Sequence, residues 1–113
     1  MAIIYKIVTR SQWAEAEKKG RFDGAPVDHA DGFIHLSAAD QVRETAAKHF
    51  GGMSDLLLVG LEADKLGGAL KWEVSRGGAL FPHLYSTLDP AMVEWVMDLP
   101  LGPDGKHVFP EEL

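Results

Sequence analysis

The sequence predicts an α+β fold built as a single domain over residues 1–113. Three observations carry that expectation. Strand and helix patterns alternate through the first half of the chain, and the second half turns mostly to strands. Hydrophobic residues make up 46% of the 113 positions, enough for one core and too many for a disordered chain. Neither common glycine-rich phosphate loop is present, which argues against a regular parallel nucleotide fold.

Ile3 to Thr9 is rich in β-branched residues and reads as a first strand. Thr9 or Ser11 can cap the helix that follows, Thr9-x-x-Gln12 having the spacing of a capping box, and Trp13 is its anchor. It should run to about Lys19 and stop at Gly20. Arg21 to Asp31 reads as a loop, with turn signals at Asp23-Gly24 and Asp31-Gly32 around Pro26. A short strand from Gly32 to Ser37 follows. Ser37, with Asp40 three residues on, has the form of a second cap. Ala39, Val42, Ala46 and Phe50 lie at helical spacing as the buried stripe of the helix it would open, and Gly51-Gly52 ends that helix.

Asp55 to Glu62 is almost continuously apolar, as a central strand buried on both faces would be. Ala63 to Gly68 is a connection. Ala69 to Ser75 alternates, with Leu70, Trp72 and Val74 on one face and Lys71, Glu73 and Ser75 on the other. Gly77-Gly78 is a turn or a bulge. Leu80 to Thr87 is extended, and Pro82 marks an edge or a break in it. Asp89-Pro90 caps a short turn, and Val93 to Asp98 reads as a further strand, with a single helix over Met92 to Leu99 as the alternative. Gly102-Pro103-Asp104-Gly105 turns the chain into Lys106 to Phe109.

Composition narrows the function. The chain has no cysteine, which removes disulfides, thiolate catalysis and thiolate zinc sites. Its net charge is −6, and the one basic cluster, Lys18-Lys19-Arg21, suits a helix C-terminus. Nucleic acid is therefore a poor partner to expect. No apolar run approaches membrane-spanning length, and Met1 to Lys6 lacks the form of a signal peptide. The expectation is a cytoplasmic protein with a small-molecule partner and no membrane contact.

Two strips of residues stand out. On one face of the first, Phe33, His35 and Ser37 place an imidazole between an aromatic ring and a hydroxyl. The second, Phe81, His83 and Tyr85, repeats the pattern. Two such strips facing one pocket would offer stacking surfaces and hydrogen-bonding groups to a nucleotide or another flat polar ligand. The plain structural reading makes both histidines satisfied scaffold residues. Glu73 projects opposite the Trp72 face, so it could sit near the histidines and stabilise a cationic centre or accept a sugar hydroxyl; its plain reading is a surface pair with Arg76 or Lys71. Arg76, beside Gly77-Gly78, is an anion-binding candidate. Asp28, His29, Asp31 and His35 have metal-ligand chemistry but no recognised spacing, and turn formation accounts for both aspartates, so no metal is expected.

These residues also resemble a family. Ile4-Tyr5-Lys6-Ile7, Trp13, Asp31-Gly32-Phe33-Ile34-His35-Leu36-Ser37, Gln41-Val42 and Phe81-Pro82-His83-Leu84-Tyr85 together resemble a small bacterial family of uncharacterised proteins, domain of unknown function 952. That family is similar in fold to ADP-ribosyltransferases. The resemblance implies two small mixed or antiparallel sheets around a nucleotide-sized cleft, with two helices in the N-terminal half. The His-Leu-Ser phrase before a helix also looks like one in the RNA 2′-phosphotransferases, which use NAD. By this resemblance NAD would be a substrate, and the activity ADP-ribosyl or related group transfer. His35 and Ser37 would hold the ribose, Phe81, His83 and Tyr85 would form the stacking wall beside Phe33, and Glu73 or Arg76 would support the charged transition state. His35 and Glu73 are thus the catalytic candidates. A non-catalytic small-molecule-binding module on the same fold is the alternative.

Overall fold

Residues Leu56–Glu62 form a strand whose seven positions are all buried, and the first sheet is built around it. The computed structural model describes residues 2–111 and 113, with Arg76 described by its backbone alone. In chain order the elements are β1 (Ile3–Thr9), α1 (Arg10–Lys19), α2 (Pro26–Asp31), β2 (Ile34–His35), α3 (Val42–His49), β3 (Leu56–Glu62), β4 (Leu70–Val74), β5 (Leu80–Leu84) and β6 (Trp95–Leu99). Short 3₁₀ segments at Ala63–Ala69, Arg76–Gly78 and Pro90–Met92 connect the later strands. The fold is α+β, with two three-stranded sheets in the orders β1-β3-β6 and β2-β5-β4, every pairing antiparallel.

The first sheet buries both faces. Ile4 and Val8 of β1, with Leu57, Val59 and Leu61 of β3, pack on Trp13 and Ala16 of α1 and on Ile34 and Leu84 of the second sheet. Tyr5, Ile7, Leu56 and Leu58 pack on Val42 and Ala46 of α3. This two-sided burial is why β3 carries an unbroken apolar run. Its one gap is Gly60, which pairs with Tyr5 on one side and Trp95 on the other. The two rings meet beside it at 5.8 Å, in space that a side chain on residue 60 would fill.

Helix α1 starts and stops as its sequence predicts. Gln12 N–H donates to the Thr9 hydroxyl, Thr9 N–H donates to the Gln12 side chain, and Gly20 ends the helix at φ 82°. The predicted strand over Val93 to Asp98 is present as β6 rather than a helix.

Four expectations are corrected. The loop over Arg21 to Asp31 contains α2, a third helix in the N-terminal half. Pro26 fixes its first turn, Asp28 reaches back to the Ala25 N–H at 2.7 Å, and Gly32 closes it at φ 85°. Ser37 does not cap α3. Its hydroxyl pairs with that of Thr45, and α3 begins five residues later, after a turn in which Gln41 accepts from the Ala38 N–H. That late start leaves Ala39 exposed, outside the stripe formed by Val42, Ala46 and Phe50. Lastly, Pro82 lies in β5, the central strand of its sheet. Its carbonyl accepts from Leu36 N–H, so the missing N–H would face the same residue, and the β2–β5 ladder stops one pair earlier, at His35 and His83.

A two-bond bridge joins the sheets at their edges. Tyr5 N–H donates to the Ser37 carbonyl at 2.8 Å, and Ser37 N–H donates to the Tyr5 carbonyl at 2.9 Å. Beyond it the chains diverge, and the gap between them is the cleft described next.

Candidate functional site

β2 and β5 put His35 directly opposite His83. Opposed residues in an antiparallel pair share a face. Both predicted strips therefore lie on one surface of the second sheet, with Phe33, His35 and Ser37 on one side and Phe81, His83 and Tyr85 on the other. The two imidazoles stand edge to face with centroids 5.8 Å apart. Phe33 stacks on His83 at 4.0 Å and also touches the His35 and Tyr85 rings.

A cleft of about 560 Å³ opens onto this surface. His35, Ser37, Phe81 and His83 line it, facing Tyr5, Lys6 and Ile7 of β1, with Val27 and Met53 among the rim residues. Tyr5 spends both main-chain groups on Ser37, and β1 runs against β3 without a bulge. By the alternation of an antiparallel ladder, the N–H and C=O of Ile7 point the same way, toward the cleft. Phe33 and Tyr85 do not line this cleft. They line a second hollow of about 320 Å³, together with His29 and Ser86.

Beneath His35 lies a buried charged group that sequence reasoning missed. Asp28 is 2% exposed and Lys6 is 6% exposed, and the Lys6 ammonium lies 3.0–3.1 Å from both carboxylate oxygens. The same carboxylate accepts from the His35 main chain at 3.0 Å and faces its ring Nδ1 at 2.6 Å. The other ring nitrogen, Nε2, lies 2.8 Å from Asp31. Two carboxylate acceptors are both satisfied by a ring with a proton on each nitrogen. Burial alone would raise the Asp28 carboxyl. The His35 ring, the Lys6 charge and two main-chain N–H groups override it and hold the carboxyl well below the ordinary carboxylate range. Burial pushes the Lys6 ammonium the other way, below the usual lysine value, against the pull of Asp28.

Signals for this group exist in the sequence. Lys6 falls between Ile4 and Val8 on the core face of β1, where a lysine needs a partner. Ala25-Pro26-x-Asp28 has the form of a helix start. Read as turn formers, Asp28 and Asp31 lose that meaning. Among the described residues, no group of three or more histidines and carboxylates is arranged to hold a metal ion.

Glu73 is not beside His35. Its Oε1 lies 2.8 Å from His83 Nδ1 and accepts from the Tyr85 hydroxyl at 2.7 Å. The Tyr85 bond, then the His83 bond, lowers the Glu73 carboxyl, and the same bond raises the Tyr85 phenol. The Arg76 side chain lies outside the described residues. Of the other two histidines, His49 lines the cleft and His107 bonds the Met53 carbonyl at 2.8 Å.

The family model described as "Protein of unknown function (DUF952)" matches residues 7–96. The chain belongs to this family. It is 54% identical to protein CC0527 from Caulobacter crescentus in its X-ray crystal structure, with a TM-score of 0.91 over 94% of this chain and 93% of that one. The solution NMR structure of CC0527 gives 52% identity and a TM-score of 0.89 over 100% of this chain and 97% of that one. None of the curated proteins matches. The match takes in both strips, so the His35–His83 surface falls inside the DUF952 region. Among the described residues of this DUF952 chain, no helix is long and apolar enough to cross a membrane.

Proposed function

We propose that the cleft is a nucleotide site and that NAD is the nucleotide it takes. The observation that carries this reading is the His35–His83 pair, two imidazoles from neighbouring strands on the wall of a cleft of about 560 Å³. That volume is within the range of small-molecule sites, and the wall joins apolar rings to a few convergent polar groups. The two small antiparallel sheets either side of it support an ADP-ribosyltransferase-like reading of the fold.

On this reading His35 and Ser37 take the ribose, and Phe81 and His83 form the stacking wall. Phe33 and Tyr85 hold that wall from behind, and Arg76, in the turn between β4 and β5, is the anion-binding candidate. The activity assigned is transfer of an ADP-ribosyl or related group from NAD. A second reading, a binding module without turnover, is favoured by one observation: both ring nitrogens of His35 are already engaged by carboxylates.

Calorimetry with NAD, NADP and ADP-ribose tests the site. Heat with at least one of them, lost in His35→Ala while the far-ultraviolet spectrum is kept, is the expected result. No heat with any of the three sinks the nucleotide reading. Release of nicotinamide from NAD then separates the transferase from the binding module.

A further inference from the structure

His35 and His83 stand side by side, but what their rings leave open differs. Nδ1 of His35 faces Asp28 and Nε2 faces Asp31, so both nitrogens are engaged. His83 engages one nitrogen. Its Nδ1 lies 2.8 Å from Glu73, while its Nε2 has no partner among the described residues and is not one of the side-chain nitrogens sealed in the interior without one. His83 is 5% exposed and lines the cleft, so an edge of its ring reaches it.

A carboxylate only accepts, so Nδ1 carries the proton of the neutral ring and Nε2 keeps its lone pair. The geometry around the ring is fixed. Phe33 lies on one face at 27° between planes, and the Tyr85 hydroxyl donates to the same Glu73 oxygen that His83 uses. Among the described residues, the other charged or titratable groups around the ring include Lys71, its register partner on β4, and His35 on β2, with Asp28 and Asp31 bound to it, while Lys6 and His49 line the same cleft. An imidazole aligned through one nitrogen and open at the other is what proton transfer to a bound group requires.

We propose that His83, aligned by Glu73, is the proton-accepting residue of the cleft, and that the group it serves is a hydroxyl. This rests on the cleft being a nucleotide site. As the hydroxyl oxygen attacks an electrophilic carbon of the bound ligand, its lone pair forms the new C–O bond. The leaving group departs with the electron pair of its old bond to that carbon, and the hydroxyl proton passes to Nε2. Glu73 stabilises the imidazolium so formed. It is a positioning residue, because it acts through His83 and does not line the cleft.

The test uses the full chain with ¹⁵N-labelled histidine, in spectra that resolve the two nitrogens of each ring. In the wild type the neutral His83 ring should carry its proton on Nδ1. Free histidine prefers the opposite form, so Glu73→Ala should return the ring to Nε2–H, whereas Tyr85→Phe should leave it unchanged. ADP-ribose should shift His83 Nε2 and leave Nδ1 protonated. A wild-type ring protonated on Nε2, or a ring indifferent to Glu73→Ala, overturns the proposal. The expected proton position with no response of any histidine to ADP-ribose overturns the nucleotide reading, and with it the assigned hydroxyl, while upholding the His83–Glu73 pair.

Discussion

One carboxylate oxygen of Asp28 bonds both the main chain and the ring of His35, at 3.0 and 2.6 Å. The residue that places His35 on the cleft wall thus comes from α2, seven positions upstream, and is itself held by Lys6 of β1. The histidine is part of a three-element joint.

Breaking that joint should be costly. Asp28→Asn leaves the Lys6 charge buried without its counter-ion, and should destabilise the chain by about 3–5 kcal/mol in urea unfolding. Adding Lys6→Met to that variant should recover a large part of the loss, since neither charge then remains buried. Single and double losses that simply add would show that the pair is not an energetic unit.

Acid should find the same residue. Asp28 has its carboxyl held below the ordinary value of 3.8 in the folded chain, while the unfolded chain returns it to that value. The stabilisation it contributes is therefore complete above the ordinary value and is lost as pH falls below it toward the folded value. Unfolding free energies taken from about pH 5 down to about pH 3 should fall more steeply for wild type than for Asp28→Asn. Parallel slopes would assign the acid sensitivity to other carboxylates.

Gly60 should resist enlargement. A Cβ built there comes within 2.5 Å of the Trp95 ring. Gly60→Ala must push that ring from its place beside Tyr5, at a cost of about 1–3 kcal/mol in thermal or urea unfolding. Replacing Trp95 by Leu beforehand should shrink the cost of the alanine, and an equal cost in both backgrounds would locate the strain elsewhere.

The cap of α1 offers a smaller and independent effect. Thr9→Ala removes the acceptor for Gln12 N–H and should cost about 1 kcal/mol, read as a lower melting temperature with the His35 and His83 ring signals unmoved in NMR spectra.

Much of this was legible in the sequence, because local signals and tertiary demands agreed. β1, α1 and β3 follow from β-branched content, a capping box and an unbroken apolar run. The shared face of Phe33, His35, Phe81 and His83 follows from the period of two, and the register of β2 on β5 turns two strips into one surface. The central place of Pro82 was not legible, because it depends on where β2 stops. Nor was the Lys6–Asp28 pair, joined across 22 residues, since neither residue's neighbours indicate its partner. The short α2 was hidden because its start, Pro26, and its end, Gly32, are equally good turn residues. The place of Glu73 near the histidines follows from its face of β4, while which of the two it bonds depends on the register of β4 against β5.

The bridge between Tyr5 and Ser37 has a consequence for how this surface can change over time. Two main-chain bonds fasten the sheets at the back of the cleft, and backbone bonds do not depend on which side chains occupy those positions. The depth of the cleft is therefore insulated from most substitutions, and whatever enters meets a wall already in place. The rim is built differently. Val27 and Met53 are exposed and belong to neither core cluster, so they are free to vary without disturbing the interior. Divergence in what such chains admit should accumulate at those lips while the joint behind them stays constant.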